Sequence, residues 1–522
     1  MNVADWIRKW ASILPKKVAL IYDDRPITYR ELNDRVNRLA NYLLRLGVRE
    51  GDLVAVLLRN CVEFMEIFFA TSKINAIFVP LNFRLVASEV VYILRDCSAG
   101  TLFFGEEFVE TVEKVRGEVP IDEGRFICIG EAPPWAQHYE RVLEGSPAVE
   151  PTGLRETDPE TPHIIMYTSG TTGFPKGATL SQRKTFFNVL NANIYYHATP
   201  DDRMVVSRPL FHSGGLLVDS LPFLYKGATV VMKKRFSPQE LLETVERYKI
   251  TVLETSATMY RFILEQCDPD ASRFSSVKCF FTGGENVPLS LLRAYSERGI
   301  VICQVFGQTE ASTITWLPVE HGLRKMGSVG LPVFHGEVKI VDEEGKEVPP
   351  GEIGEIVVSG PILMSGYWGR PDLTAETIKD GWLHTGDLGV RDEEGFYYVI
   401  DRGRNMFISG GENVYPAEVE RVLLENPKVL EAAVVGVPDP KWGEVGKAFI
   451  VVKEGEVLTR EDVIQWCLDR LAKYKIPKHI DFVEALPKNA AGKIVRHVLK
   501  EWSVKGKPDF RFESRGKEVE KE

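Results

Sequence analysis

A chain of 522 residues, 44% hydrophobic and 26% charged, is too long for one ordinary core and too apolar to stay unfolded. Two or more domains are the expectation. The net charge of −10 argues against a nucleic-acid binder, because phosphate backbones demand an excess of Lys and Arg.

In chain order, Leu32, Val36, Leu39, Leu43 and Leu46 recur at helical spacing in TYRELNDRVNRLANYLLRLG. Thr28, three residues before Glu31, predicts a capping box, and Gly47 a C-terminal cap. The apolar runs LVAVLL and AIFVPL then alternate with helical stretches. The alternation returns in GATVVM, SPQELLETVERY, ITVLET and VKCFFTGG. Strand–helix–strand repetition predicts mainly parallel sheets covered by helices, an α/β architecture. In KINA, Asn75 is expected to tolerate a positive φ. Beyond about Val329 the texture changes to alternating strands with DEEGKE and PPGE as turns, a β-rich subdomain. From Asn405 a small α+β module is expected, including a helix over VIQWCLDRLAKY, and after Trp502 a charged tail.

The seven cysteines contain no CxxC pair and predict reduced, mostly buried thiols. The N-terminal MNVADWIRKWASILPKK lacks a signal-type apolar core, no run reaches membrane-spanning length, and EVEKE matches no targeting tripeptide. A cytoplasmic protein is expected, with a homodimer left open.

The strongest local signal is Tyr167–Gly177, YTSGTTGFPKG. Gly170 and Gly173 let backbone approach a ligand, while Thr168, Ser169, Thr171 and Thr172 offer hydroxyls to phosphate oxygens and Lys176 adds positive charge. The spacing is not that of a Walker loop. The string resembles the phosphate loop of the adenylate-forming superfamily, which includes acyl-CoA synthetases, 4-coumarate-CoA ligases, luciferase and peptide-synthetase adenylation domains. Further strings appear in family order, so that the resemblance spans nearly the whole chain: PLFHSGG from Pro209, GGEN from Gly283, VFGQTE from Val305, GWLHTGDLG from Gly381, SGGENVYP from Ser409 and PKNAAGKI from Pro487.

The resemblance implies ATP, Mg²⁺ and coenzyme A as cofactors and a small-molecule carboxylic acid as partner. Phe306 would stack on adenine, where the family usually has tyrosine; Gly284 and Glu285 would run along the base. Thr309 would meet the α-phosphate, Glu310 would hold magnesium, and Asp387 with Arg402 would clamp the ribose. His212 would gate an acid pocket bordered by Gly214, Val218, Gly283 and Gly330. Gly410, Gly411 and Asn413 would line the pantetheine tunnel and reach the adenylate. Lys493 would contact both the carboxylate and the α-phosphate. The implied domains are 1–401, a hinge at 402–404 centred on Arg404, a mobile lid at 405–505 and a tail at 506–522.

The expected reaction is two-step: a carboxylate attacks the α-phosphorus of ATP, and the acyl-adenylate then passes its acyl group to the CoA thiol. Ser213 stands where peptide-synthetase domains carry an aspartate, so an α-ammonium would be buried without a partner. Gly214–Val218 reads as a roomy apolar lining. A medium- or long-chain fatty acid, and hence a place in lipid metabolism, is expected, with an aryl- or cinnamate-type acid as an alternative. A ligase loading acyl-carrier protein is another.

Overall fold

The computed structural model describes residues 2–168, 174–285, 287–402, 406–487 and 494–505. They form two compact units, the larger from residues 2–402 with 469–472 and the smaller from the rest of 406–505.

Two sheets carry the larger unit. In the first, parallel strands Leu53–Leu57, Ile77–Pro80, Thr101–Gly105 and Phe126–Ile129 lie beside the antiparallel pair Pro162–Thr168 and Lys176–Ser181. In the second, Val18–Tyr22, Thr229–Met232, Arg203–Val206, Val252–Glu254, Cys279–Gly283 and Ile302–Gln308 run parallel, followed by antiparallel Ser312–Trp316. The sequence explains why both faces are covered. In Leu53–Leu57, Val54 and Val56 face one core cluster while Ala55 and Leu57 face another. Across the second sheet, Met204 and Val206 join the first cluster, and Val205 packs outward against helices Pro238–Tyr248 and Ala257–Cys267. An all-apolar strand needs cover on two sides, and successive side chains point to opposite faces. Helices Tyr29–Arg45, Val62–Lys73 and Gln182–Tyr196 contribute to the first cluster, which draws on both sheets.

Local expectations hold. Thr28 accepts a hydrogen bond from the Glu31 amide, and the Glu31 carboxylate accepts one from the Thr28 amide at 2.7 Å. Gly47 follows the helix at φ +89° and Asn75 stands at φ +58°. All seven cysteines are free thiols. No helix among the described residues is long and apolar enough to cross a membrane.

The β-rich part is a separate antiparallel sheet of Glu337–Val341, Gly354–Ser359, Trp382–Arg391 and Ile378–Lys379, with Tyr397–Arg402 paired to Trp382–Arg391. In the smaller unit, Glu412–Val414, Phe407–Ser409, Gly443–Val452 and Val429–Asp439 form another sheet, joined by His479–Phe482. The helix expected over VIQWCLDRLAKY ends early, at Leu468. Past it, Lys475 is drawn inward instead, 3% exposed and paired with Glu418 at 2.7 Å.

Candidate active site

Strand Pro162–Thr168 and strand Lys176–Ser181 form a hairpin in which Thr168 faces Lys176. Gly177 is required there, since a Cβ would stand 2.6 Å from Ile165 Cγ2. Ser169, Gly170, Thr171 and Thr172, which follow Thr168 in the chain, lie outside the described residues. At the connecting end of this hairpin the Lys176 ammonium donates to the Tyr367 hydroxyl at 2.6 Å, and that hydroxyl donates to Glu310 Oε1 at 2.8 Å. Tyr367 reaches this position because Gly366–Tyr367 pairs with Thr179 and Ala178 of the same hairpin. A cation and a buried carboxylate, 7% exposed, are thus held to either side of one phenol. Such a pair suits a phosphate and a hard divalent cation respectively. No cluster of three metal-ligating side chains occurs among the described residues. Magnesium, however, needs only one or two carboxylates when phosphates supply further oxygens, so Glu310 fits that ion.

Glu310 and Thr309 occupy the turn between strands Ile302–Gln308 and Ser312–Trp316. Gly307 allows this tight return: a Cβ there would lie 1.9 Å from the Ser312 carbonyl. Below it, buried Lys184 donates to Ser312 Oγ at 2.5 Å. Burial pushes the Lys184 pKa down to about 7, against the pull of Glu310. Phe306 is 6% exposed and packs in the core, so little of its ring is open to a base.

Gly284 is exposed at φ +83°, with no atom within 4 Å of where a Cβ would stand. The Glu285 carboxylate turns away and accepts from the Thr258 amide at 2.7 Å and hydroxyl at 2.9 Å. It caps helix Ala257–Cys267, which leaves backbone rather than the Glu285 side chain to meet a ligand. Asp387 is buried, and its strand register sets it opposite Arg402, of which the backbone alone is described.

The acid-pocket residues divide. His212 is half-buried against Phe211, with ring centroids 4.2 Å apart. Asn60 fixes this segment by donating to the Arg208 carbonyl at 2.9 Å and accepting from the Leu210 amide at 2.8 Å. Gly214–Ser220 is a wide helical turn of π type. Leu216 and Leu217 are fully buried and Val218 is 7% exposed, so the apolar run fills core rather than lining a roomy lumen. A Cβ at Gly214 would face the Arg208 guanidinium, 3.1 Å from Cζ. Gly283 and Gly330 are glycines for close backbone approach, with a Cβ falling 2.4 Å from the Val305 carbonyl and 1.9 Å from that of Trp316.

Gly410, Gly411 and Asn413 belong to the smaller unit, on the turn and strand after Phe407–Ser409. Both glycines have positive φ, +60° and +83°, and Asn413 is exposed. Arg404 and Lys493 lie outside the described residues. Tyr367, Asn60, Lys184 and Arg208 went unread in the sequence, because each acts through a partner distant along the chain.

Residues 7–368 match the AMP-binding enzyme family, and residues 418–493 the AMP-binding enzyme C-terminal domain. The chain belongs to the AMP-binding enzyme family. It is an AMP-forming acid–thiol ligase of adenylate-forming fold, and ATP, magnesium and coenzyme A are its cofactors. The ligase is 40% identical to a feruloyl-CoA synthase of Amycolatopsis sp, over 95% of this chain and 98% of that one. It is 37% identical to an indoleacetate–CoA ligase of Aromatoleum aromaticum, over 95% and 96%. Among solved structures it is similar to an o-succinylbenzoate CoA synthetase of Bacillus subtilis, with TM-score 0.86, 34% identity and coverage of 95% and 98%. These relatives favour the aryl-acid alternative over the fatty-acid expectation. The structural reason is the burial of Leu216 and Leu217, which removes the leucine run that suggested an alkyl tunnel.

Proposed function

We propose that this ligase activates an aryl or aryl-propenoic acid as its adenylate and transfers the acyl group to coenzyme A. The reading rests on the 40% identity, over nearly the full length of both chains, to a protein named for feruloyl-CoA synthesis.

A carboxylate resists thiolysis because oxide is a poor leaving group. Adenylation cures this: the carboxylate oxygen bonds to the α-phosphorus, and the bond from that phosphorus to pyrophosphate breaks. The protein's task is to hold reactants in line and neutralise charge. In this reading Lys176, with Thr168, Ser169, Gly170, Thr171 and Thr172, binds the outer phosphates, and Thr309 orients the α-phosphate. Glu310 would hold magnesium, which supplies charge neutralisation to the phosphates. Asp387 and Arg402 grip the ribose, while Gly284 borders the adenine. Lys493 stabilises charge at the reacting centre. In the second half-reaction the thiol sulfur bonds to the acyl carbon and AMP leaves. Gly410, Gly411 and Asn413 then border the pantetheine arm, and His212 separates acid from thiol.

The test is AMP release with CoA, ATP and magnesium over a panel of acids. Cinnamate-type and arylacetic acids are expected to exceed straight-chain acids of equal carbon number by at least roughly tenfold in kcat/KM. A preference for decanoate or longer alkyl acids would overturn the reading.

A further inference from the structure

One helix grips both strands of the hairpin that carries Thr168 and Lys176. Helix Ala87–Cys97 turns Val90, Ile93, Leu94 and Cys97 into the core cluster that also holds Ala55 and Leu57, which fixes its place. Tyr92 and Asp96 stand four residues apart, hence one above the other on a single helix face. Asp96 Oδ2 accepts from the Tyr167 hydroxyl at 2.5 Å. Tyr92 donates its hydroxyl to the Pro175 carbonyl at 3.2 Å. Its ring also stacks on Phe174, with centroids 5.3 Å apart and planes 27° off parallel.

The grips fall next to the two described side chains proposed for phosphate. Tyr167 immediately precedes Thr168, Pro175 immediately precedes Lys176, and Thr168 faces Lys176 in register. Gly177, opposite Tyr167, leaves room for the phenol, since a Cβ there would stand 3.2 Å from Tyr167 Cζ. Asp96 and Phe174 are both exposed, where a carboxylate is ordinarily just solvated and an aromatic ring is ordinarily withdrawn. Here each is tied to a partner across the helix–hairpin contact. The hairpin is thus held from outside at both strands, in addition to its own backbone pairing.

We infer that Tyr92 and Asp96 are positioning residues for adenylation, which hold Thr168 and Lys176 at the spacing that the outer phosphates of ATP require. The inference rests on the reading of this hairpin as a phosphate site and adds the element that orients it. Neither residue has to touch ATP, because Asp96 acts through Tyr167 and Tyr92 through Phe174 and Pro175. The Lys176 ammonium is held separately, by Tyr367, so the helix sets the backbone and the phenol sets the tip of the side chain. Preorganised charge is worth most when its geometry is fixed before the substrate arrives. The effect is confined to one step. Pyrophosphate is present in adenylation and gone before thiolysis, so a misplaced hairpin weakens the first half-reaction and spares the second.

The experiment measures ATP–pyrophosphate exchange, with KM for ATP, and thioester formation from synthetic acyl-adenylate and CoA, using the best acid of the panel. Tyr92→Ala and Asp96→Ala are each expected to raise KM for ATP and to cut exchange by roughly 10- to 100-fold, the cost of shifting a positioned group by about 1 Å. Thioester formation is expected to stay within about twofold of wild type, because the adenylate carries no outer phosphates. Asp96→Asn still accepts from Tyr167 and is expected to keep exchange within about threefold of wild type. Equal losses in the two half-reactions would mark a merely structural role and overturn the inference. So would an Asp96→Asn variant as impaired as Asp96→Ala, since the effect would then belong to the charge and not to the bond. The two alanine variants test the grip independently, so if one fails to fold the other decides. Lys176→Ala separates this inference from the reading beneath it. If Lys176→Ala cuts exchange while both helix variants leave it intact, this inference alone falls. If Lys176→Ala leaves exchange intact as well, the phosphate-site reading falls with it.

Discussion

Tyr367 joins two residues that the sequence motifs name separately. Its hydroxyl accepts from Lys176 and donates to Glu310, so a single oxygen sets the distance between the Lys176 ammonium and the Glu310 carboxylate. Tyr367→Phe keeps the buried ring and deletes that oxygen. Acid-dependent ATP–pyrophosphate exchange is expected to fall by roughly 10- to 100-fold, with KM for ATP raised, because preorganised charge is lost. An unchanged exchange rate in a folded variant would show that Lys176 and Glu310 hold their places unaided. Lys493 is expected to act only in adenylation. Lys493→Ala should cut exchange by roughly 100- to 1,000-fold yet still make thioester from synthetic acyl-adenylate and CoA. Lys488→Ala, outside the motif's contacts, is the control. Residues within one motif string were legible because glycines, hydroxyls and a lysine at fixed spacing carry their chemistry locally. Tyr367, Asn60 and Arg208 were not, since their meaning depends on strands and turns far away in sequence.

Among the elements, the parallel strands and the helix Tyr29–Arg45 announced themselves through apolar runs and a capping box. The segment Gly214–Ser220 did not, because a run of apolar residues reads alike whether it lines a lumen or fills a core. Where strand Pro162–Thr168 meets helix Gln182–Tyr196, the structure also buries a titratable ring. His163 is fully buried, with Nε2 2.8 Å from Thr185 Oγ1 and Nδ1 3.3 Å from Ser72 Oγ. Burial, then the nearby Lys184 charge, pushes its pKa down to about 3 from 6.5. The folded state thus favours the neutral ring, and the unfolded state takes up the proton first. The contribution is fully present above pH 6.5 and is lost as pH falls towards 3, at about 1.4 kcal/mol per pH unit. His163→Gln retains polar atoms without that titration. Between pH 6.5 and 5 its loss of unfolding free energy should be smaller than wild type's by about 2 kcal/mol, as read from urea transitions. Parallel losses in both proteins would mean that His163 is solvated or charged in the native state.

On the scale of the whole molecule, the chemistry makes two demands on one acyl group. Adenylation needs an ammonium beside the carboxylate as pyrophosphate departs, whereas thiolysis needs a sulfur beside the same carbon. Lys493 and the turn Gly410–Gly411 both lie beyond Arg404 in the chain, and the phosphate hairpin, Glu310 and Asp387 lie before it. If that turn borders the pantetheine arm as proposed, a segment that carries both it and the lysine cannot present them to one point in a single arrangement. We propose that rotation about a joint at residues 402–404 resolves the conflict; changes of this kind commonly limit turnover. The texture change near Asn405 made two bodies legible in the sequence. The expectation of a hinge between them came from the family resemblance and the order of the half-reactions rather than from any residue pattern. Arg404→Pro tests the joint, since proline locks φ near −65° and removes the amide donor. Acid-dependent ATP–pyrophosphate exchange should stay within about threefold of wild type, while overall acyl-CoA formation falls by roughly tenfold or more. Thioester formation from synthetic acyl-adenylate should fall to the same degree, which separates a jammed joint from a damaged adenylation site. If exchange and thioester formation both keep their wild-type rates, the pivot lies at another residue.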